Sequence, residues 1–172
     1  AEWANFVRAV GEAWASNRDW ETAESRLSQR KSLDEAIGML QRPYVTLGLA
    51  DAGAHAQQIM DASQPTFFLT HWVRDRGAFT IEEAIRKLTS DTADLFSIPD
   101  RGRLVPGAFA DVNVIDLAGL ALHYPEMAHD FPGGAGRWIQ RADGYESTIV
   151  NGEVFMQAGE HTGSLVGQMI RG

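Results

Sequence analysis

Tyr44-Val45-Thr46-Leu47-Gly48-Leu49-Ala50-Asp51 is the stretch on which the fold class turns. Its apolar residues form a near-continuous run rather than an alternation, the pattern of a strand covered on both faces in a parallel sheet. The run stops at Asp51, and the Ala52-Gly53-Ala54-His55 that follows is small and flexible. The Asp51 carboxylate is therefore expected to project from the end of a buried strand into a loop. Strand ends are where α/β enzymes place their chemistry.

Working outward, the flanks read as helices. Trp3, Phe6, Val7, Val10 and Trp14 fall on one helical stripe. Ser32 with Glu35 forms a capping box that opens a helix through Ala36, Ile37 and Leu40, and Pro43 ends it. On the other side, Pro65 suits the first turn of a helix with Phe68, Leu69, Trp72 and Val73 on one face, and Gly77 suits its left-handed stop. Thr80 with Glu83 makes a second capping box for Ile81, Ala84, Ile85 and Leu88, and Ser90 is expected to cap a short helix containing Ala93 and Phe96.

Past residue 100 the signals turn to β. Pro106-Gly107 is a turn, and Ala110–Asp116 alternates as a half-buried strand does. Ser147-Thr148-Ile149-Val150, Asn151-Gly152 and Glu153-Val154-Phe155-Met156 spell a two-residue hairpin, because Asn-Gly readily takes the positive φ angles of a type I′ turn. Phe131-Pro132-Gly133-Gly134-Ala135-Gly136 lies between them as a loop. The chain is thus divided at a change of architecture, with residues 1–100 carrying the helices and the buried strand and residues 101–172 the β segment.

Composition sets the outer bounds. The 172 residues are 44% hydrophobic and 22% charged, which suits a soluble core and excludes a fibrous or disordered chain. A net charge of −8 with no basic run argues against nucleic acid or an anionic membrane as a partner. The absence of cysteine excludes disulfides, thiolate zinc sites and a cysteine nucleophile. No apolar run reaches the length of a spanning helix. Ala1-Glu2-Trp3-Ala4-Asn5 has neither an initiator Met nor a signal-like pattern. A cytoplasmic location and a start inside something longer are expected.

Three stretches together are more specific: Gly48–His55, His71-Trp72-Val73-Arg74-Asp75-Arg76-Gly77 and His129-Asp130-Phe131-Pro132-Gly133-Gly134. With Gly102–Asp116 and Ile149-Val150-Asn151-Gly152-Glu153-Val154, the order of motifs over residues 43–172 resembles the C-terminal third of the metal-dependent amidohydrolase superfamily. Within it, the chain is similar to the N-acyl-D-amino-acid deacylase (D-aminoacylase) branch. The resemblance implies an α/β fold: the C-terminal part of a (β/α)8 barrel, ending in its last strand and helices, followed by part of a small β-sandwich domain. Ala50 stands where the family usually has Ser, and Thr92 where it usually has Pro. Neither change removes a functional group.

The resemblance also implies a chemistry. In the family, metal-bound hydroxide attacks an amide carbonyl while an Asp at the end of the eighth barrel strand takes the water's proton and delivers it to the leaving amine. Asp51 matches that position, and a carboxylate suits the role because its pKa responds to burial and to a neighbouring cation. His55 either lines the same pocket on the substrate side or is a loop histidine satisfied by backbone or water. The family's metal ligands include a His-x-His pair, which this sequence lacks, and its histidines, His55, His71, His123, His129 and His161, show no one-turn helical spacing. His71 reads as structural on a helix, and His123, His129 and His161 as loop residues. Zinc is thus the cofactor implied for a full-length family enzyme, and no metal ligand is assigned within this chain.

No Gly-x-Ser-x-Gly elbow supports a serine nucleophile, and Gly133–Arg137 lacks the preceding strand of a phosphate loop. Arg74 and Arg76 have the chemistry to grip a substrate carboxylate, although arginines on an exposed helix are usually solvated. The implied substrate is an N-acyl amino acid or related small amide, with the isolated chain inactive for want of metal ligands. The alternative is a non-catalytic binding or oligomerisation module, completed by self-association or by a missing N-terminal portion, since an incomplete barrel and sandwich leave edges open.

Overall fold

The structure, a computed structural model, describes residues 35, 37–48, 52, 53, 56 and 61–170. The Trp3–Trp14 stripe, the Ser32 cap and the end of the apolar run at Leu49-Ala50-Asp51 lie outside the described residues. The chain divides into two compact units. One takes in the described residues up to Ala62 together with Tyr124–Gln140; the other takes in Ser63–His123 and the described residues from Arg141 onward.

In the first unit, residues 37–40 are helical and the helix ends before Pro43, as expected. The predicted strand is not formed over residues 45–48, which have no regular secondary structure, and Tyr44 is 77% exposed. The Val45 N–H donates to the Arg42 carbonyl at 3.1 Å, three residues back, a turn contact rather than a ladder bond. Among the described residues the strands of this unit are β3 (Glu126–Ala128) and β4 (Arg137–Ile139), paired antiparallel with Met127 opposite Trp138.

The second unit opens with a 3-10 turn, Asp61–Ser63, leading into α1 (Gln64–Phe67), which has Pro65 in its first turn. α1 continues without a break into a π-helical segment, Phe68–Asp75. The predicted apolar face is there, but all six residues from Phe68 to Val73 are buried, Thr70 and His71 included. Thr70 tolerates the position by donating its hydroxyl to the Thr66 carbonyl at 3.0 Å. Gly77, at φ +60°, ends the segment.

α2 (Ile81–Leu88) carries the expected capping box: the Glu83 N–H donates to Thr80 Oγ1 at 3.2 Å and the Thr80 N–H to Glu83 Oε2 at 3.0 Å. Its buried side is Ala84 and Lys87, a rotation from the predicted Ile81, Ala84, Ile85 and Leu88 face. A lysine stem is long enough to cover apolar neighbours. α3 (Ser90–Leu95) begins one residue earlier than predicted, with Thr89 as its cap position and Ser90 inside the helix. The Thr89 hydroxyl donates back to the Ile85 carbonyl at 2.6 Å instead of capping. Ala93 is buried as expected, whereas Phe96 is largely exposed.

The β segment folds as an antiparallel sheet of β1 (Val112–Ile115), β6 (Tyr145–Val150), β7 (Glu153–Gln157) and β8 (Glu160–His161), in the order β1-β6-β7-β8. The Asn151-Gly152 hairpin is present, with φ of 50° and 85° at its two turn residues. The alternation predicted for β1 is broken by a bulge between Val114 and Ile115, which shifts register against β6 and leaves Asn113 and Val114 both exposed. β2 (Ala121–Leu122) pairs with β5 (Ala142–Asp143), and the His123 N–H donates to the Arg141 carbonyl at 2.9 Å. The two ends of the 124–140 excursion are thereby held side by side.

The core sits where the helices meet the β segment. Phe68 packs on Phe79 with ring centroids 4.9 Å apart, and Leu120 is fully buried. Thr66 Oγ1 and Tyr145 Oη share a hydrogen bond of 2.7 Å, joining α1 to the first residue of β6. Just before it, Gly144 has φ +91°, and a Cβ there would stand 2.6 Å from Leu120 Cα. Gly159 has a similar φ of +82° with nothing within 4 Å. The strained φ alone costs a side chain about 1–2 kcal/mol. Gly144→Ala is therefore expected to destabilise the chain by at least about 1 kcal/mol more than Gly159→Ala, because backbone must move to admit its methyl. Urea unfolding of the two variants checks this; equal losses would show that Leu120 yields without cost.

Candidate functional site

Asp51 and His55 lie outside the described residues. Their surroundings can be built from the flanking positions. Ala52 and Gly53 form an exposed turn with Gly53 at φ +87°, a conformation glycine adopts freely. Ala56, the residue after His55, offers its carbonyl to the Trp138 N–H at 2.9 Å. That bond ties the segment following the Asp51 loop to strand β4.

The hairpin that receives it carries the third of the specific sequence stretches. Asp130 and Arg137 pair in a two-pronged contact, Nε to Oδ1 at 2.8 Å and Nη2 to Oδ2 at 2.7 Å. The Arg137 hydrogen bonds hold the Asp130 carboxyl below its usual range, and the same bonds raise Arg137 further. The Arg137 guanidinium also lies over the Phe131 ring at 5.7 Å, and His129 Nδ1 is 3.2 Å from the Gly134 carbonyl. Pro132–Gly134 is a 3-10 turn. Gly48–His55 and His129–Gly134 thus belong to one unit, while His71–Gly77 belongs to the other.

In the second unit Arg74, one of the two arginines with the chemistry to grip a substrate carboxylate, is neither free for that nor simply solvated. Arg74 Nη1 donates to the carbonyls of Leu120 at 2.5 Å and Leu117 at 3.3 Å, and Nε pairs with Asp75 at 2.8 Å. It fastens the π segment to the turn before β2. His71 is structural, as predicted: buried, stacked on Phe67 at 4.8 Å and edge-on to Trp72 at 4.6 Å. Burial lowers its pKa from 6.5, and Asp75 opposes that only in part. His129 is a loop residue as expected, and His123 directly follows β2, with Nε2 2.9 Å from Asp143. His161 differs from expectation by lying in β8, where its ring meets Phe155 edge-on at 4.5 Å.

Two arrangements escape periodicity altogether. One is the Asp130–Arg137 pair, whose signal is an acid and a base placed symmetrically about a Gly-rich loop. The other joins Arg101 to Asp111 and, at 2.9 Å, to Asn151 Oδ1, while the Asn151 N–H donates to Asp111 Oδ1 at 2.9 Å. Burial raises the Asp111 pKa, but Asn151 and Arg101 outweigh it and the net shift is downward. Among the described residues, no three of His, Cys, Asp or Glu stand close enough together to hold a metal ion. These residues therefore do not fit a zinc centre. No helix among them is long and apolar enough to cross a membrane.

Comparison with known proteins gives the family. The profile of the amidohydrolase family matches residues 15–156. A D-aminoacylase of Alcaligenes xylosoxydans xylosoxydans is 35% identical over 102 residues, which cover 59% of this chain and 19% of that protein. The N-acyl-D-glutamate deacylase of the same organism is 45% identical over 51 residues, covering 30% of this chain and 10% of that protein. Among solved structures, a D-aminoacylase mutant in complex with copper chloride superposes with a TM-score of 0.49 at 32% identity, covering 62% of this chain and 20% of its own. The chain spans about a fifth or less of the length of the curated relatives it matches.

The buried His71 makes stability depend on pH in a defined direction. Its folded pKa is depressed, so below 6.5 the unfolded chain binds a proton that the folded chain resists. The contribution is complete above pH 6.5 and is lost as pH falls from there toward the folded value, with a slope of at most about 1.4 kcal/mol per pH unit for one proton. Thermal unfolding at a series of pH values is expected to show Tm falling below pH 6.5, and His71→Phe, which keeps a ring against Phe67, is expected to flatten that limb. An unchanged limb in the variant would assign the titration to other groups.

Proposed function

We propose, from the premise that this chain belongs to the amidohydrolase family, that it contributes to hydrolysis of the N-acyl group of a D-amino acid or related small amide. In this reading Asp51 is the general acid/base and His55 stands on the substrate side. The observation that carries it is the family match over residues 15–156, which includes both positions, supported by the 35% identity to a D-aminoacylase. Residues 1–100 would supply helices and the last strand of a (β/α)8 barrel, and residues 101–172 part of a small β-sandwich.

The proton balance assigns Asp51 its work. Water adds through oxygen to the amide carbon, and its proton passes to the Asp51 carboxylate. The same proton then moves to the leaving nitrogen as the C–N bond breaks, giving a carboxylic acid and a free amine. A carboxylate does both steps because its protonated form is a strong enough acid for an amine leaving group. Zinc, the metal proposed for the family enzyme, would add polarisation of carbonyl and water, and its ligands would be residues other than those described.

The sequence has no His-x-His pair, so the 172-residue chain by itself is expected to turn over no N-acetyl-D-amino acid. In a polypeptide that joins these residues to the family's ligand motifs, Asp51→Asn is expected to lower kcat by about 10²- to 10⁴-fold, the usual weight of a positioned acid/base. A steady-state assay with added zinc decides. Turnover by the purified chain that Asp51→Asn abolishes overturns the predicted inactivity, and full activity of Asp51→Asn in the joined polypeptide overturns the role of Asp51.

A second reading, a non-catalytic assembly module, is favoured by exposed apolar side chains on the second unit. Leu95, Phe96, Leu104 and Val105 are all more than half exposed, and β1 and β8 are the outermost strands of the sheet among the described residues. This reading expects self-association at micromolar concentration. Size exclusion with light scattering tests it, and a stable monomer would count against it.

A further inference from the structure

The turn between β6 and β7 carries a chemistry besides its geometry. Of Asn5, Asn17, Asn113 and Asn151, only Asn151 is followed by glycine. A glycine has no side chain to keep its nitrogen away from the preceding residue. Gly152 is exposed, and nothing stands within 4 Å of where a Cβ would be. The reaction open to such a pair needs no partner but water. The Gly152 nitrogen gives its proton to solvent and bonds to Asn151 Cγ; the Cγ–Nδ2 bond breaks, and Nδ2 takes up a proton and leaves as ammonia. Water then opens the succinimide at either carbonyl and leaves an aspartate or an isoaspartate at position 151.

In the folded chain every group that must move is already engaged. The attacking nitrogen donates its N–H to the Ala110 carbonyl at 2.9 Å. The leaving Nδ2 donates to the Val166 carbonyl at 2.5 Å, and Oδ1 accepts from Arg101 Nη2 at 2.9 Å. Asp111 accepts the Asn151 N–H at 2.9 Å and also pairs with Arg101, whose side chain is only 16% exposed. The side-chain amide is therefore held at both its oxygen and its nitrogen. Turning Cγ toward the Gly152 nitrogen breaks both of those bonds as well as the bond to Ala110, so ring closure waits for the turn to open.

The same contacts decide what the conversion does. An aspartate at position 151 keeps Arg101 as its partner, with a full charge in place of a dipole. Arg101, bonded to Asp111 and to Asn151, offsets the added negative charge beside Asp111. The Val166 carbonyl, by contrast, loses its donor and faces an oxygen instead. Nearer the hairpin the tail is tied by the Ser164 hydroxyl, which donates to Glu153 Oε2 at 2.9 Å. Beyond it Leu165, Met169 and Ile170 are more than half exposed, so apolar burial holds that segment weakly. The loss falls on the tail and not on the turn.

We propose that Asn151 is a deamidation site kept latent by Arg101, Asp111 and the Val166 carbonyl, and that its conversion frees the segment beyond Ser164 from the hairpin. This inference is independent of the reading of Asp51 as the acid/base.

Incubation of the 172-residue chain at mildly alkaline pH, folded and in urea, followed by peptide mapping, reads the conversion at Asn151. The folded chain is expected to convert at least about tenfold more slowly than the unfolded one. Equal rates overturn the latency, and an unconverted Asn151 in urea overturns the site. Asp111→Ala is expected to speed conversion in the folded chain about fivefold or more, with the rate in urea unchanged. Where that variant fails to fold, Arg101→Lys carries the test, since it keeps a charge for Asp111 and gives up the fork that reaches Asn151. A folded variant that converts at the parent's rate overturns the role of the network.

Amide nitrogen relaxation reads the release. In Asn151→Asp the order parameter at Val166 is expected to fall by about 0.2 or more, while those of Thr148 and Ile149 in β6 hold. An unchanged Val166, or a loss of order through the whole sheet, overturns the directed release.

Discussion

The Asp111 carboxylate ties the Asn151-Gly152 turn of the second unit to Arg101. One carboxylate oxygen accepts the Asn151 N–H at the hairpin turn and the other accepts from Arg101, whose second nitrogen reaches Asn151 Oδ1. Asn151 in turn donates its side-chain amide to the Val166 carbonyl at 2.5 Å. Four stretches distant in sequence therefore converge on one acid, one amide and one guanidinium. The Gly152 N–H, bonded to the Ala110 carbonyl at 2.9 Å, closes the arrangement on the main chain. The Asn-Gly turn is thus doubly determined: its φ angles suit these residue types, and its edge is pinned by Asp111. Register in β6 and β7 follows from that turn, and β1 acquires its place because Asp111 immediately precedes it.

From this anchor the order passes along β6 to the helices. Tyr145 starts β6 and carries the hydrogen bond to Thr66, so the sheet's orientation constrains the first turn of α1. Gly144 lets the chain pass Leu120 closely enough for the β2–β5 pairing, and Arg74 returns from the π segment to the carbonyls of the same turn. Helix and sheet are connected here by polar contacts at a crowded turn as well as by the packing of Phe68 and Phe79. A hydroxyl, a guanidinium and the absence of a side chain supply what apolar packing does not: direction.

Much of this was legible in the sequence where the determinant is local. The Thr80–Glu83 capping box, Pro65 at a helix start, Gly77 at its end and the Asn151-Gly152 hairpin each depend on a few adjacent residues, and each is present. Departures arise where partners far along the chain intervene. The apolar run 44–48 reads as a buried strand, yet residues 45–48 have no regular secondary structure and the Val45 N–H turns back to the Arg42 carbonyl. β1 alternates in sequence, but a bulge against β6 breaks the alternation of burial. Ser90 is a good cap by type and lies inside its helix because Thr89 occupies the preceding position. The burial of all six residues from Phe68 to Val73 is likewise more than a one-face periodicity contains.

The candidate site divides along the same line. Asp51 stands out because a small, flexible loop follows an apolar run, a local pattern, and the family match includes it. The Asp130–Arg137 pair was half-visible, as an acid and a base flanking glycines. The Trp138 N–H on the Ala56 carbonyl is between backbone groups and leaves no trace in residue type. Any residue but proline can donate it. Arg74 shows the converse: its chemistry fits a substrate carboxylate, and three backbone carbonyls and Asp75 take it instead. A side chain's chemistry therefore limits what it can bind, while the fold decides which partner reaches it first. In this chain Arg74 is committed to the turn before β2 and Arg137 to Asp130.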